Sequence, residues 1–187
     1  MRKKILLIAA LLALPTVASA TGLDFSFNDE AAQVAVSQTT VEDASGKVEM
    51  ALRGLYSDPE DSLIGSFGAN VLGKIGPVPG LDVGAGVKGY IGDTDKDDIL
   101  AGGLGLLAEF APEQLHGLGF AAEYFYCPKV FSGLDTERMT EFETRASYEI
   151  IPRASVYVSY SEMRADIKDK GYRTVDDGFR IGLELEF

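Results

Sequence analysis

The chain has 187 residues, one cysteine and a formal net charge of −12. A charge of this sign argues against a nucleic-acid partner, because phosphate binding requires a positive surface. The single cysteine, Cys127, excludes an internal disulfide bond.

The first 20 residues have the pattern of a secretory signal peptide. Basic residues at 2–4 precede an apolar run over 5–14, and the triplet 18–20 (Ala-Ser-Ala) has the small-residue form of a cleavage site. The run is shorter than the roughly 20 residues of a membrane-spanning helix, so a retained membrane anchor is the weaker interpretation. We expect cleavage after Ala20, which leaves a mature barrel domain over 21–187. Its net charge would be −15, because the leader carries three basic residues and no acid.

Most of the mature chain alternates apolar residues with polar residues or glycine at a period of two, which is the pattern of a strand with two different faces. The segments are about 8–12 residues long, close to the ~9–11 that a tilted strand requires to cross a bilayer. No apolar run is long enough for a membrane helix, and a membrane protein without one must be a closed barrel. The segments are 31–38, 47–56, 63–74, 81–91, 99–110, 117–126, 140–150, 154–161 and 178–187.

These nine segments leave the strand number open, because bacterial single-chain barrels have an even number of strands. The short piece 23–27 also alternates, and Asn28-Asp29-Glu30 can form a turn after it. Including that piece gives ten strands, whereas excluding 21–45 gives eight. We therefore predict an all-β fold, a single up-and-down antiparallel transmembrane barrel of eight or ten strands, and favour ten.

The connections between the segments fall into two groups. Every second connection is long and acidic: 57–62, 92–98, 127–139 and 162–177. The others are shorter or rigid: 76–80, 111–116 and 151–153. Outer-membrane barrels have short periplasmic turns and longer external loops, so this sorting favours a membrane barrel over a soluble sandwich. It places the acidic loops outside the cell.

The final strand has an apolar face that continues to the last residue. Phe179, Ile181, Leu183, Leu185 and Phe187 occupy alternate positions. Such a strand, in a chain with a secretory leader, resembles the closing strand of bacterial outer-membrane barrels, in which the barrel-assembly machinery reads the terminal aromatic residue. We therefore expect the bacterial outer membrane as the location, its lipid and the assembly machinery as partners, and Phe187 as an assembly signal.

In the order of its motifs, the chain resembles the YfaZ-type family of small outer-membrane proteins. The resemblance rests on residues 28–33, 54–56, 84–93, 123–128 and 176–178 and covers essentially the mature chain. It implies a barrel in the outer membrane. It implies no established activity, although a porin-like role is the usual suggestion for the family.

Charged residues on the polar faces of the strands are expected to point into the barrel. Because buried charges must be paired, an ion-paired lumen is the principal expectation. A narrow pore lined by charged rings comes second, and acid–base chemistry by paired carboxylates has the least support. The lumen-facing candidates are Glu49, Arg53, Lys88, Glu109, Glu123, Glu141, Glu143, Arg145, Arg180 and Glu184.

The sequence predicts no catalytic or metal-binding residue. His116, the single histidine, falls in a turn with no serine near it in sequence, whereas a Ser–His hydrolase requires its base beside its nucleophile. The run 93–98 begins like a calcium loop but has Asp98 where that loop requires glycine. A looser role for the acidic loops in binding divalent cations stays open.

The function expected from the sequence is a non-enzymatic, porin-like barrel, either a narrow channel or a packed structural barrel. We expect no cofactor, no nucleic-acid partner and a monomer, although the sequence does not fix the oligomeric state. One alternative is a surface-binding protein that uses its acidic external loops. A barrel enzyme acting on lipid or peptide has less support.

Deletion of Phe187, or its replacement by a charged residue, is expected to reduce assembly while leaving partial refolding in detergent. The terminal side chain lies on the apolar face of its strand, where a charge is costly in lipid. The measurement is the amount of heat-modifiable barrel in isolated outer membranes. Normal outer-membrane levels of the deletion variant would show that the terminal aromatic residue is not needed.

Overall fold

The computed structural model describes residues 21–58, 61–94 and 97–187. The leader and its expected cleavage site after Ala20 lie outside the described residues. Among the residues that are described, no helix is long and apolar enough to cross a membrane. The described part of the chain is almost entirely β-strand.

Within these ranges the fold contains eleven strands and two one-turn 3₁₀ helices, Glu113–Leu115 and Lys129–Phe131. The strands are β1 (Thr21–Phe27), β2 (Ala31–Glu42), β3 (Gly46–Ser57), β4 (Ser62–Lys74), β5 (Leu81–Asp93), β6 (Asp98–Phe110), β7 (Leu118–Cys127), β8 (Ser132–Leu134), β9 (Thr136–Ile151), β10 (Ala154–Ile167) and β11 (Gly171–Glu186).

Ten of these strands form a closed antiparallel barrel. Each pairs with the next barrel strand along the chain, and β1 closes the ring against β11. Phe25 of β1 lies opposite Leu183 of β11 on one side and Val34 of β2 on the other. The prediction of an up-and-down barrel is confirmed, with ten strands rather than eight. The extra strand β8 pairs with residues 99–101 of β6, where β6 no longer pairs with β7.

An even number of strands puts the start of β1 and the end of β11 at the same end of the barrel. We call this the terminal end. It holds Thr21, Glu186 and the connections 43–45, 75–80, 111–117 and 152–153. The opposite end, here the far end, holds the connections 28–30, 58–61, 94–97, 128–135 and 168–170.

A belt of apolar side chains faces outward around the barrel. Strand alternation places these side chains on one face, and a water-soluble monomer rarely exposes so large a continuous apolar surface. Together with the closed hydrogen-bond ladder, the belt gives the protein the surface of a membrane-spanning barrel. Members that are 45–62% exposed include Phe25, Phe67, Val87, Leu104, Phe120, Tyr148, Val158 and Ile181.

The prediction of a long acidic loop over 162–177 is wrong. β10 extends to Ile167, and only 168–170 connect it to β11. The polarity of the two faces inverts in this part of β10. Met163, Ala165 and Ile167 are buried inside, while Glu162, Arg164 and Asp166 are on the outward face. A strand with a charged outer face has left the lipid, so a search for apolar outer faces classes it as a loop.

The expected difference in loop length between the two ends is also wrong. β9 begins at Thr136, within the predicted loop 127–139, and the far-end connections 58–61 and 94–97 are short. The two ends differ instead in how far the strands project. β9, β10 and β11 have 16, 14 and 16 residues, and their far-end portions form a polar outer wall.

One contact at the β1–β11 seam depends on a glycine. Tyr157 of β10 lies across Gly182 of β11, where an added Cβ would be 2.1 Å from the ring carbon Cζ. The Tyr157 hydroxyl donates a hydrogen bond to Asp24 of β1 (2.7 Å), and the guanidinium carbon of Arg145 lies 3.8 Å from the ring centroid. The glycine therefore lets one aromatic side chain connect four strands of the barrel.

Replacement of Gly182 by valine is expected to destabilise the barrel by about 1–3 kcal/mol, the usual cost of overpacking. Gly89→Val is the matched control, because Gly89 faces outward and its added Cβ would meet only the Phe67 carbonyl oxygen at 4.0 Å. Urea unfolding in detergent, followed by circular dichroism, measures both variants. Equal midpoints for the two would contradict the assigned role of Gly182.

Candidate functional site

The barrel interior contains a cavity of about 570 Å³ that opens at the terminal end. We call this cavity the vestibule. Its volume falls within the roughly 300–1,000 Å³ of small-molecule pockets. Small side chains on several strands keep this part of the lumen open, among them Ala35, Ser37, Ala51, Gly68, Gly119 and Ala121. The lining also carries eight carboxylates and four cationic side chains.

Glu141 of β9 is the centre of the vestibule floor and is 2% exposed. Its carboxylate accepts hydrogen bonds from Nη1 of Arg53 and from the Tyr90 hydroxyl. Nζ of Lys88 lies 3.2 Å from the same carboxylate and 2.7 Å from that of Glu123. Side chains from β3, β5, β7 and β9 therefore meet at one point across the lumen.

Burial explains why these charges share partners. An isolated ion in a barrel interior costs several kcal/mol, and only well-placed opposite charges and hydrogen bonds offset that cost. Glu141 serves two cations and one hydroxyl, so the floor depends on it more than on any single cation. Nη2 of Arg53 has no hydrogen-bond partner among the described residues.

Arg145 organises a second group of charges on the vestibule wall. Its Nη1 lies 3.1 Å from Asp24 and 3.3 Å from Glu184, and its Nη2 lies 3.3 Å from Glu143. The planar guanidinium is suited to this role because its donors point in fixed, divergent directions. One cation thus contacts three carboxylates, one each from β1, β9 and β11.

Three carboxylates in the floor have the spacing of a metal site. Oxygen atoms of Glu123, Glu141 and Glu143 lie within 4.8 Å of one another. The ammonium of Lys88 and the guanidinium of Arg53 already supply positive charge to this group. A metal ion would have to displace them, so the geometry describes a salt-bridged floor and supports no metal assignment.

The turn 43–45 at the vestibule mouth is held by an aspartate outside the membrane-spanning part. The Asp43 carboxylate accepts hydrogen bonds from the backbone N–H groups of Ser45 (2.7 Å) and Gly46 (3.1 Å). These bonds favour the ionised form and keep the pKa of Asp43 below its usual range. The turn positions Lys47, the first cation of the vestibule wall.

Beyond the floor, towards the far end, apolar side chains fill the lumen. Tyr90, whose hydroxyl donates to Glu141, is a member of this buried cluster, so the floor and the cluster are in contact. The buried ring of Phe125 lies against the floor as well, with its centroid 4.1 Å from Nζ of Lys88. We call the cluster the apolar plug. Its larger members are 4% exposed or less: Leu55, Ile64, Tyr90, Ile99, Met139, Met163, Ile167 and Val175.

The tip of the β10–β11 hairpin ties the far end together over the plug. Lys170 forms an ion pair with Asp97, which lies in the β5–β6 connection on a distant part of the ring. The backbone N–H of Lys168 donates to the carbonyl of Asp135 (2.8 Å), whose carboxylate accepts from the N–H of Asp98 (3.2 Å). β10 has register irregularities against both neighbours, and such irregularities bend a strand. The vestibule is therefore open at the terminal end and blocked at the far end.

The structure places all ten predicted lumen residues on inward faces, in three groups. The floor contains Arg53, Lys88, Glu123, Glu141 and Glu143, whereas Glu49, Glu109, Arg145 and Glu184 line the vestibule wall. Arg180 belongs to a separate buried network, in which it forms an ion pair with Asp176 and donates to Ser161 (2.6 Å) and Gln33 (3.2 Å).

Several residues of the lumen were not singled out from the sequence. Asp24 lies in the shortest barrel strand, whose alternation is a weak signal in the sequence. Tyr90 and Tyr157 carry no charge at neutral pH, so a search for charged residues does not find these two side chains. The sequence carries only a weak indication of the apolar interior. Leu55 of the plug and the buried Phe125 are apolar side chains at inward positions, close to the far ends of their strands.

The residues considered for catalysis or calcium binding lie away from the vestibule. His116 is exposed in the connection 111–117, with a φ of 49° at the end of a 3₁₀ helix. Cys127 is buried within the plug. Residues 95–96 of the acidic run lie outside the described part of the chain, and Asp97 is engaged by Lys170.

The YfaZ precursor family model matches residues 1–187 of this chain. The chain belongs to the YfaZ family. No curated protein sequence matches it. The predicted resemblance is thus confirmed, and the YfaZ-family barrel, with its lipid-facing belt, is a protein of the bacterial outer membrane.

Several solved outer-membrane proteins are distantly similar in structure to this YfaZ-family chain. The KdgM porin is 12% identical, with 90% of this chain and 99% of that chain covered and a TM-score of 0.44. The outer membrane channel DcaP of Acinetobacter baumannii is 12% identical, with 88% and 54% covered and a TM-score of 0.45. OmpT of Vibrio cholerae is 13% identical, with 92% and 62% covered and a TM-score of 0.43. Likeness at this level carries no argument about function.

Replacement of Glu141 by leucine is expected to destabilise the barrel by about 3–5 kcal/mol, because it leaves Arg53 and Lys88 without their shared carboxylate. The matched control is Glu109→Leu. Glu109 is partly exposed at the mouth with one ion-pair partner, Lys47 at 2.8 Å, so its loss should cost roughly 1 kcal/mol or less. Guanidinium unfolding in detergent provides the comparison, and similar midpoints for the two variants would refute the central role of Glu141.

Proposed function

We propose that this YfaZ-family protein is a porin-like, non-enzymatic barrel whose narrow channel is closed in the described state. The observation that carries the proposal is the arrangement of the lumen in series. A polar vestibule wide enough for small solutes leads to a charged floor, and the floor contacts an apolar plug through Tyr90. Apolar constrictions are a recognised means of closing a channel, because they exclude water and ions.

The terminal end of the barrel is assigned to the periplasm in this proposal. A chain exported through the inner membrane reaches the outer membrane from the periplasmic side, and the antiparallel ten-strand ring keeps both termini at one end. The vestibule then opens to the periplasm. The plug and the Lys170–Asp97 ion pair lie towards the cell exterior.

The proposed channel is selective for cations. The vestibule lining carries twice as many carboxylates as cationic side chains, and charged rings of one sign favour ions of the opposite sign. Opening requires displacement of the plug, for which the β10–β11 hairpin is suited, since it contributes Met163, Ile167 and Val175 to the plug.

Two features support a role without catalysis. The carboxylates of the floor are held by cations and lack a histidine or serine partner within the described contacts. His116 is exposed at the terminal end, outside the vestibule lining. The alternative of binding through acidic external loops has less support, because most far-end connections are short and the acidic side chains beside them are in part ion-paired.

The proposal predicts that Phe125→Ala converts a mostly closed barrel into one that conducts more often and with larger current steps. Wild-type protein in planar lipid bilayers should give rare, small, cation-selective openings. Removal of the buried Phe125 ring leaves a gap beside Lys88, at the floor that leads to the plug, which water can enter. Single-channel recording measures open probability, step size and reversal potential.

Phe120→Ala is the matched control, because it removes the same side chain from the lipid-facing side of the same strand, where Phe120 is 45% exposed. It should behave as the wild type does. Lys170→Ala, which releases the hairpin tip, should raise the open probability without changing the plug. A folded Phe125→Ala barrel that stays silent, together with a silent Lys170→Ala barrel, would favour a packed structural barrel and overturn the channel proposal.

A further inference from the structure

A short turn protrudes from the barrel wall between β7 and β8. β6 pairs with β7 as far as Leu104 and with β8 from Ala101 onwards, so two β6 residues lie between the two pairings. The facing segment, 127–131, has five residues, and the surplus forms the 3₁₀ helix Lys129–Phe131. We call residues 128–131 the outer turn. Since β8 continues from it towards the far end, the outer turn lies on the flank of the barrel.

The outer turn projects away from the lumen, because the lumen beside it is filled. Ala101, Cys127 and Met139 face inward at this level and are 4% exposed or less. In contrast, Val130 is 81% exposed and Phe131 is 62% exposed. Side chains with so much accessible surface cannot lie in a packed interior. Both apolar side chains of the turn are therefore on the outer surface of the barrel.

The outer turn is continuous with the apolar belt. Phe131 lies against the outward face of β6, where an added Cβ on Gly102 would be 3.6 Å from the Cβ of Phe131. Gly102 is at an outward position between Leu100 and Leu104, which are 43% and 61% exposed. These two leucines belong to the lipid-facing surface of the barrel. Phe131 therefore extends that surface, and Val130 precedes it on the same turn.

Local contacts hold the outer turn in this position. The backbone N–H of Phe131 donates to the carbonyl of Pro128 (3.0 Å), and the hydroxyl of Ser132 donates to the same carbonyl (3.1 Å). Nζ of Lys129 lies 2.6 Å from the carboxylate of Glu137 on β9. The apolar side chains of the turn are thus kept outside the barrel, where water is an unfavourable environment for them.

We propose that the outer turn is a lipid anchor, which places Val130 and Phe131 among the acyl chains of the leaflet at the far end. Continuity with the belt favours lipid over a partner protein as the occupant of this surface. The proposal does not depend on the channel function proposed above. It assigns to the membrane a segment that the sequence predicts as part of an acidic external loop.

The residues around the outer turn fit the boundary between lipid and water. Tyr124 and Tyr126 occupy outward positions on β7 just before the turn and are 47% and 42% exposed. Tyrosine is enriched at this boundary, because it has an apolar ring and a polar hydroxyl. Lys129 can lay its aliphatic stem on apolar surface while its ammonium stays at the level of the headgroups.

The test uses the fact that the chain contains no tryptophan, so that one introduced tryptophan reports on a single position. The variants Val130→Trp and Phe131→Trp are each reconstituted as full barrels in phosphatidylcholine vesicles, with and without bromine on the acyl chains below the headgroup. Both tryptophans should lose most of their fluorescence in the brominated lipid. Iodide, present on both sides of the membrane, should quench them weakly.

The matched control is Tyr172→Trp, because Tyr172 is 66% exposed at the start of β11, beside the connection 168–170. Its fluorescence should be quenched by iodide and little affected by brominated lipid. Phe120→Trp, in the middle of the belt, should show the reverse and marks the response expected in lipid.

Iodide quenching of the turn variants as strong as that of Tyr172→Trp would place the outer turn in water and overturn the proposal. A bromine effect that disappears as the protein-to-lipid ratio rises would assign this surface to a second copy of the barrel, which also overturns it. If one turn variant lacks the heat-modifiable gel shift of a folded barrel, the other decides by the same criteria.

Discussion

The whole barrel depends on the hydrogen-bonded seam between β1 and β11. In lipid, unpaired backbone groups cost several kcal/mol each, so a membrane sheet must close on itself. The seam runs from Gly22 opposite Glu186 to Phe27 opposite Ile181, and without it β1 and β11 would be open edges. It also sets the register that brings Asp24 within hydrogen-bond distance of Tyr157. The shortest barrel strand thus fixes both the closure of the ring and one wall of the vestibule.

The edge of the membrane imposes a second constraint on the strands. Where a strand leaves the lipid, the surroundings of both its outer and its inner face change. In the half of β10 nearer the terminal end, Val158 faces lipid and Ser159 faces the lumen. Nearer the far end, Met163 is buried inside and Arg164 faces water. The outer face becomes charged once the strand leaves the lipid, and the inner face becomes apolar where the lumen is packed. The inner faces of the strands are polar near the terminal end, where they line the vestibule, and apolar near the far end, where they form the apolar plug.

This change also explains what the sequence could and could not predict. The alternation of apolar and polar residues is a property of each strand by itself. The sequence therefore predicts the barrel, the inward faces and the final strand from residues such as Phe179, Ile181 and Leu183. The far-end portions of β9–β11 were misread as loops, because their apolar side faces inward. The floor was not predictable as a network, since the partners of Glu141, namely Arg53, Lys88 and Tyr90, lie 88, 53 and 51 residues away in the chain. Such contacts depend on register and strand tilt, which alternation alone does not determine.

The position of the seam has a consequence for the order of folding. Gly22 and Glu186 are neighbours in the barrel although nearly all of the described residues lie between them in the chain, so the closing contact has the largest sequence separation in the described fold. Long-range pairing of this kind requires a large loss of chain entropy before any contact compensates for it, and it forms slowly. Until the last strand has been delivered, β1 presents an unpaired edge that can associate with other chains. A nascent or truncated barrel of this design would therefore need protection during its passage through the periplasm.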